Sequence, residues 1–124
     1  MYQMTDEEFE NAVEEALEDL PEQFTGALDN VAIVIEDEPD DEQALGNASQ
    51  HAGEVLGFYD GIPLTERDGY YDFVVPDMIY VFKGPHERCF GSREEVVSEI
   101  RKTVAHEIGH YFGLDDAELR RIGL

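Results

Sequence analysis

Over residues 92–112 the apolar side chains recur with the period of an α-helix, and no other stretch restricts the fold so strongly. At 100° per residue, Val96, Val97, Ile100, Val104, Ile108, Tyr111 and Phe112 fall within one arc of about 160°. A helix with that stripe must bury it against a second layer. Ser92 with Glu95 matches a capping box at its start. Gly113 suits the residue that leaves a helix in a left-handed conformation. His106 and His110 lie outside the arc, roughly 40° apart, in line with Glu99 and Thr103.

The second layer must come from upstream. Phe9, Val13, Ala16, Leu17 and Leu20 recur at helical spacing behind a Thr5/Glu8 capping box, which predicts a helix over residues 5–20 that Pro21 ends. NVAIVIEDEP (residues 30–39) opens with β-branched residues and reads as a buried strand, followed by a solvated acidic loop over 36–42. MIYVFKG (78–84) is a clearer strand, ended by Gly84-Pro85. Residues 56–77 are dense in Gly, Pro and Asp and read as short strands or an irregular excursion. Asp115-Asp116 opens a short last helix carrying Leu119 and Ile122, with Asp115 and Glu118 spaced as a capping box.

A chain of 124 residues fits one domain, taken as residues 1–124. It lacks a run of 18 or more apolar residues, so no transmembrane helix is expected. Its acidic start lacks the pattern of a signal peptide, which makes the cytoplasm the default compartment. Cys89 is the only cysteine, so no internal disulfide can form. The net charge of −22 is unevenly placed. Residues 1–85 hold 22 acids against only Arg67 and Lys83, whereas residues 86–124 hold 8 acids against 6 bases. Such a surface repels phosphate backbones and anionic membranes, so neither nucleic acid nor membrane is expected as a partner. The excess reads as an aid to solubility or as adaptation to a salty cytoplasm, and a basic or cationic partner would suit it.

The chemistry lies in VAHEIGHYFGLDD (104–116). His106 and His110 are four apart, so both imidazoles leave one helix face about one turn apart, a spacing that lets two nitrogens meet one Zn²⁺. Glu107 occupies the position that, in the H-E-x-x-H pattern, takes a proton from water beside the metal rather than binding it. Chance would produce the pattern in a chain this long at roughly a few per thousand. A catalytic zinc takes three protein ligands and leaves one position open. In the extended His-Glu-x-x-His-x-x-Gly-x-x-His pattern the third ligand falls at Asp116, with Gly113 turning the chain back under the metal. Carboxylate oxygen is an accepted zinc ligand. Asp115 is the rival, better suited as a helix cap. Glu118, His51, His86 and Cys89 are further donors.

HEIGHYFGLDDAEL resembles the signature of the small zincin-like metallopeptidases of bacteria, His-Glu-x-x-His-x-x-Gly-x-x-Asp. FENAVEEALEDLPEQF, NVAIVIEDEP, GFYDGIPLTER and PDMIYVFKGP resemble that family's blocks in the same order. The resemblance implies an α+β (mixed α/β) fold: a minimal zincin-like domain with a small mixed sheet packed against the histidine-bearing helix, plus the N-terminal helix. The larger metzincins place a methionine turn after the third ligand, whereas Met1, Met4 and Met78 all lie upstream here. Any donor to a transition state must then come from earlier positions, of which Tyr70, Tyr71, Tyr80, His86 and Arg88 are the polar ones.

The resulting expectation is a zinc-dependent peptide hydrolase. His106, His110 and Asp116 hold Zn²⁺, and Glu107 serves as general base. The substrate is a peptide or protein that pairs with an exposed sheet edge, for which residues 78–83 are the candidate. Two other classes compete. A non-catalytic metal-binding or interaction module would close the fourth metal position with a protein ligand such as His86 or Cys89. A metal-dependent nuclease would use a similar histidine frame, against which stand Glu107 and the acidic charge.

Overall fold

A computed structural model describes residues 1–26, 30–45, 48–61 and 77–121. In chain order these form α1 (Asp6–Glu18), α2 (Glu22–Thr25), β1 (Val31–Glu36), α3 (Asp41–Leu45), β2 (Ala48–His51), β3 (Glu54–Asp60), β4 (Asp77–Phe82), α4 (Lys83–Cys89), α5 (Arg93–Tyr111) and α6 (Asp116–Arg121). The expected α+β class is the one observed. The sheet is mixed, in the order β1-β4-β3-β2. β1 runs parallel to β4, while β4 with β3 and β3 with β2 are antiparallel.

One face of this sheet meets α1 and α5. Leu56 of β3 and Ile79 and Val81 of β4 join Phe9, Ala12, Val13 and Ala16 of α1 and Val96, Ile100, Val104 and Ile108 of α5 in a single apolar cluster. Alternation along β4 turns Tyr80 and Phe82 to the opposite face, where their rings lie 6.4 Å apart. Phe58 of β3 extends the row, 6.4 Å from Tyr80.

Both long helices start as their sequences predict. Thr5 Oγ1 accepts the Glu8 N–H at 3.1 Å, and Ser92 Oγ accepts the Glu95 N–H at 3.2 Å. The Glu95 carboxylate reaches one residue further back than a standard box, accepting from Gly91 N–H at 3.1 Å. α1 stops at Glu18 rather than Leu20, its end tightened by the Asp19 N–H on Ala16 O.

Two strand expectations need correction. Residues 30–39 read as a buried strand, yet among the described residues β1 is an outer strand with Ile33, Val34 and Ile35 only half-buried. Residues 78–83 were the candidate exposed edge, yet β4 lies between β1 and β3, paired on both sides. Its near-continuous apolar run is the pattern of an interior strand, and closeness in sequence to α5 does not set its place in the sheet. Gly84-Pro85 does end the strand, but by opening α4: proline fits the first turn of a helix, where its missing N–H would have no partner anyway. Within 56–77, residues up to Asp60 belong to β3; residues 62–76 lie outside those described.

β2 and β3 form a hairpin across Ala52 and Gly53, both at positive φ (51° and 80°). That backbone matches the twist of two antiparallel strands. The register shifts between Ser49 and Gln50: Gln50 pairs with Val55 and Ser49 with Gly57, which leaves Leu56 as the extra residue of a bulge. Among the described residues no helix is long and apolar enough to cross a membrane.

Candidate functional site

The second half of α5 lies against β3 and β2, and Gly57 permits the approach. A Cβ at Gly57 would collide with the Thr103 side chain and stand 3.0 Å from Tyr80 O and 3.8 Å from Glu107 Cγ. With only hydrogen there, the helix settles on the strand and Glu107 goes in with it. On the helical wheel Glu107 falls between Val96 and Ile100, inside the apolar arc. Its side chain is accordingly 0% exposed.

His106 and His110 stand side by side, ring centroids 4.9 Å apart and nearly perpendicular at 79°. His106 is partly exposed and lines a groove of about 390 Å³ with Ser49, Gln50, Leu56, Glu99, Lys102 and Thr103. His110 is buried, its Nδ1 3.1 Å from Glu107 Oε2. Ser49 Oγ donates to the same oxygen at 3.4 Å. Glu107 Oε1 is buried with no hydrogen-bond partner. Removal from water therefore raises the carboxyl's pKa above its ordinary value, while His110, His106 and the Ser49 hydroxyl pull it back in part. A buried carboxylate oxygen without a partner is costly, and such groups cluster where chemistry is done.

α5 ends by the local rules its sequence carries. Gly113 takes φ 81°. Its N–H bonds His110 O at 2.9 Å and the Leu114 N–H bonds Gly109 O at 3.0 Å, the paired bonds of a Schellman motif. α6 then folds back so that Leu119, fully buried, packs on Gly109, where a Cβ would collide with it. Asp115 is the cap, as expected. Its Oδ1 accepts the Glu118 N–H at 2.8 Å, and Glu118 Oε1 accepts the Asp115 N–H at 3.3 Å. Both acids of that box are thus occupied. Asp116 is the first residue of α6, and its side chain lies outside the described residues. Among the described residues no group of three or more His, Cys, Asp and Glu side chains is gathered to hold a metal ion.

The remaining polar candidates have other engagements. Tyr80 faces away from α5, its hydroxyl 3.7 Å from Met78 Sδ. His86 is fully buried, with Nδ1 donating to Phe82 O at 2.7 Å and its ring 5.7 Å from that of Phe9; burial lowers its pKa. Arg88 grips Glu38 and Glu54 together, at 2.6 Å each. The Cys89 thiol donates to His51 O at 3.7 Å, and burial raises its pKa, so it stays protonated. The His51 ring lies 5.0 Å from that of Phe90. Tyr70, Tyr71 and Ile122 lie outside the described residues. Ser49 was not foreseen. The only sequence signals near it are Gly53, which marks a hairpin, and Gly57, which marks a close backbone approach.

The donors present suit a zinc ion: two imidazoles one turn apart on one helix, beside a buried carboxylate oxygen left unsatisfied. The zincin-like metallopeptidase family model matches residues 28–124, and the chain belongs to that family. The match begins beyond α1, so the likeness of the N-terminal block lies outside it. No curated protein matches the chain.

Proposed function

We propose that this member of the zincin-like metallopeptidases hydrolyses peptide bonds, with Glu107 as general base and His106, His110 and Asp116 as zinc ligands. The observation that carries the reading is Glu107 itself. A fully buried carboxylate lies with Oε2 3.1 Å from His110 Nδ1 and with Oε1 unsatisfied. Zn²⁺ held there would supply Lewis acidity, making water acidic enough to ionise near neutral pH and polarising the peptide carbonyl.

Glu107 takes the proton from the attacking water and returns it to the leaving amine. Burial raises the pKa of its carboxyl and so makes the carboxylate a stronger base than one in water, and the nearby imidazoles offset part of that rise. Asp116 supports the ligand set because Asp115 and Glu118 spend their carboxylates on each other's backbone. The edge suited to an extended peptide is β2. It lies next to the His106 groove and, among the described residues, pairs with β3 on one side only.

The non-catalytic reading needs a fourth protein ligand, and among the described residues neither candidate, His86 nor Cys89, is gathered with the two histidines. The nuclease reading needs attraction to phosphate, which a net charge of −22 opposes. The test is zinc content measured together with cleavage of a peptide library. One zinc per chain with cleavage that Glu107→Ala abolishes is expected. Cleavage by that variant at the parent rate would refute the mechanism.

A further inference from the structure

Ser49 reaches Glu107 from the sheet, its hydroxyl donating to Oε2. It belongs to β2, the strand bordering the His106 groove, and it sits opposite Gly57 in the ladder. Directly opposed residues point to the same side of a sheet. The vacant Cβ direction of Gly57 points at Thr103 and Glu107, so the Ser49 hydroxyl faces α5 as well. The bulge matters here. It lets two successive residues of β3 both face the helix: Leu56 joins the core and lines the groove, while Gly57 makes room for Glu107. A regular strand would turn one of them away, and bulges beside functional sites characteristically re-aim a side chain in this manner.

The two oxygens of Glu107 are thereby made unequal. Oε2 receives the Ser49 hydroxyl at 3.4 Å and lies 3.1 Å from His110 Nδ1. Oε1 has no hydrogen-bond partner. We propose that Ser49 is a positioning residue: it holds Oε2 and so fixes the carboxylate plane, leaving Oε1 as the oxygen that handles the proton. The inference rests on the reading of Glu107 as general base, but the contact itself can be tested without zinc and without substrate.

The experiment combines Ser49→Ala and Glu107→Ala singly and together, with Ser49→Thr as the conservative control. In metal-free protein the thermal midpoints are compared. The two single shifts should fail to add, because each change removes the same contact. Additive shifts overturn the proposal. Should the Glu107→Ala chain fail to fold, Glu107→Leu, which also removes the contact, takes its place in the cycle. With zinc loaded, Ser49→Ala should keep the metal and KM and lose about 10–100-fold in kcat, the usual cost of removing an outer partner of a site, while Ser49→Thr keeps the parent rate. An unchanged kcat in Ser49→Ala, or a loss that Ser49→Thr fails to restore, also overturns it. A parent that binds zinc and cleaves no peptide refutes the peptidase reading alone; the metal-free comparison still decides whether Ser49 holds Glu107.

Discussion

In the first half of α5, residues 93–102, only Val96, Val97 and Ile100 are buried; in the second half, residues 103–111, every residue but His106 is buried, Glu107 and His110 included. The first half is an ordinary amphipathic helix whose apolar stripe faces α1 and the sheet while its other sides meet water. The second half is enclosed by β3, β2 and α6, and its enclosure is possible because Gly57 and Gly109 replace side chains with contact. One helix thus does two physical jobs. Its first turns stabilise the core, and its last turns place ionisable groups where water cannot screen them.

That division can be broken from either side. The largest effect is expected at the enclosed end. Glu107→Gln should cut peptide hydrolysis by about 10²–10⁴-fold, the range general-base catalysis supplies, with zinc content unchanged by elemental analysis. His106→Ala should lose zinc, read by the same analysis, and unchanged metal content would remove His106 from the ligand set. At the other end, Ile100→Ala should cost about 2–5 kcal/mol in denaturant unfolding, as truncation of a fully buried side chain does. The protein that remains folded should keep the parent's zinc content and specific activity. A loss of zinc in proportion would show that the two halves are not separable.

The boundary at the end of α5 gives a finer test. Asp115→Ala removes a cap and should lower stability by about 1 kcal/mol without weakening zinc, whereas Asp116→Ala should weaken zinc binding with little effect on the metal-free unfolding midpoint. Reversed results would exchange the roles of the two aspartates. The smallest effect concerns charges that α5 does not carry. The Arg88 guanidinium holds the Glu38 and Glu54 carboxyls below their ordinary 4.5. Their folded-state pKa values lie below the unfolded ones. The stability they confer is therefore present above the ordinary carboxylate range and is lost as pH falls through the lowered values. These side chains are 29–51% exposed and screened by solvent, so the contribution is under about 1 kcal/mol, and Arg88→Gln should flatten it in acid-unfolding curves.

Much of α5 was legible because its signals are local. The stripe, the Ser92 cap and Gly113 each depend on residues within a turn or two. The same wheel that sets the histidines aside also puts Glu107 among the apolar residues, so the burial of that acid could have been read from phase alone. The neighbours of β4 were not legible. Its parallel pairing joins Val31 to Asp77 and depends on contacts between distant segments. α4 was missed because Gly84-Pro85 reads equally as a strand stop and as a first helical turn. Ser49 was missed because a lone serine in ASQHAGE carries no periodicity. What gives it a role is a bulge, and a bulge is a property of two paired strands.

The Ala52-Gly53 turn bears on the order in which the molecule assembles. A hairpin closed by two residues pairs neighbours in sequence and forms on the order of 1–10 μs, whereas the β1–β4 pair must first bring distant segments together at a far larger entropic cost. Pulsed hydrogen exchange during refolding is expected to protect the amides of β2 and β3 before those of β1. The wall that receives Glu107 then belongs to the earliest and most local of the strand pairings, formed before β1 completes the sheet.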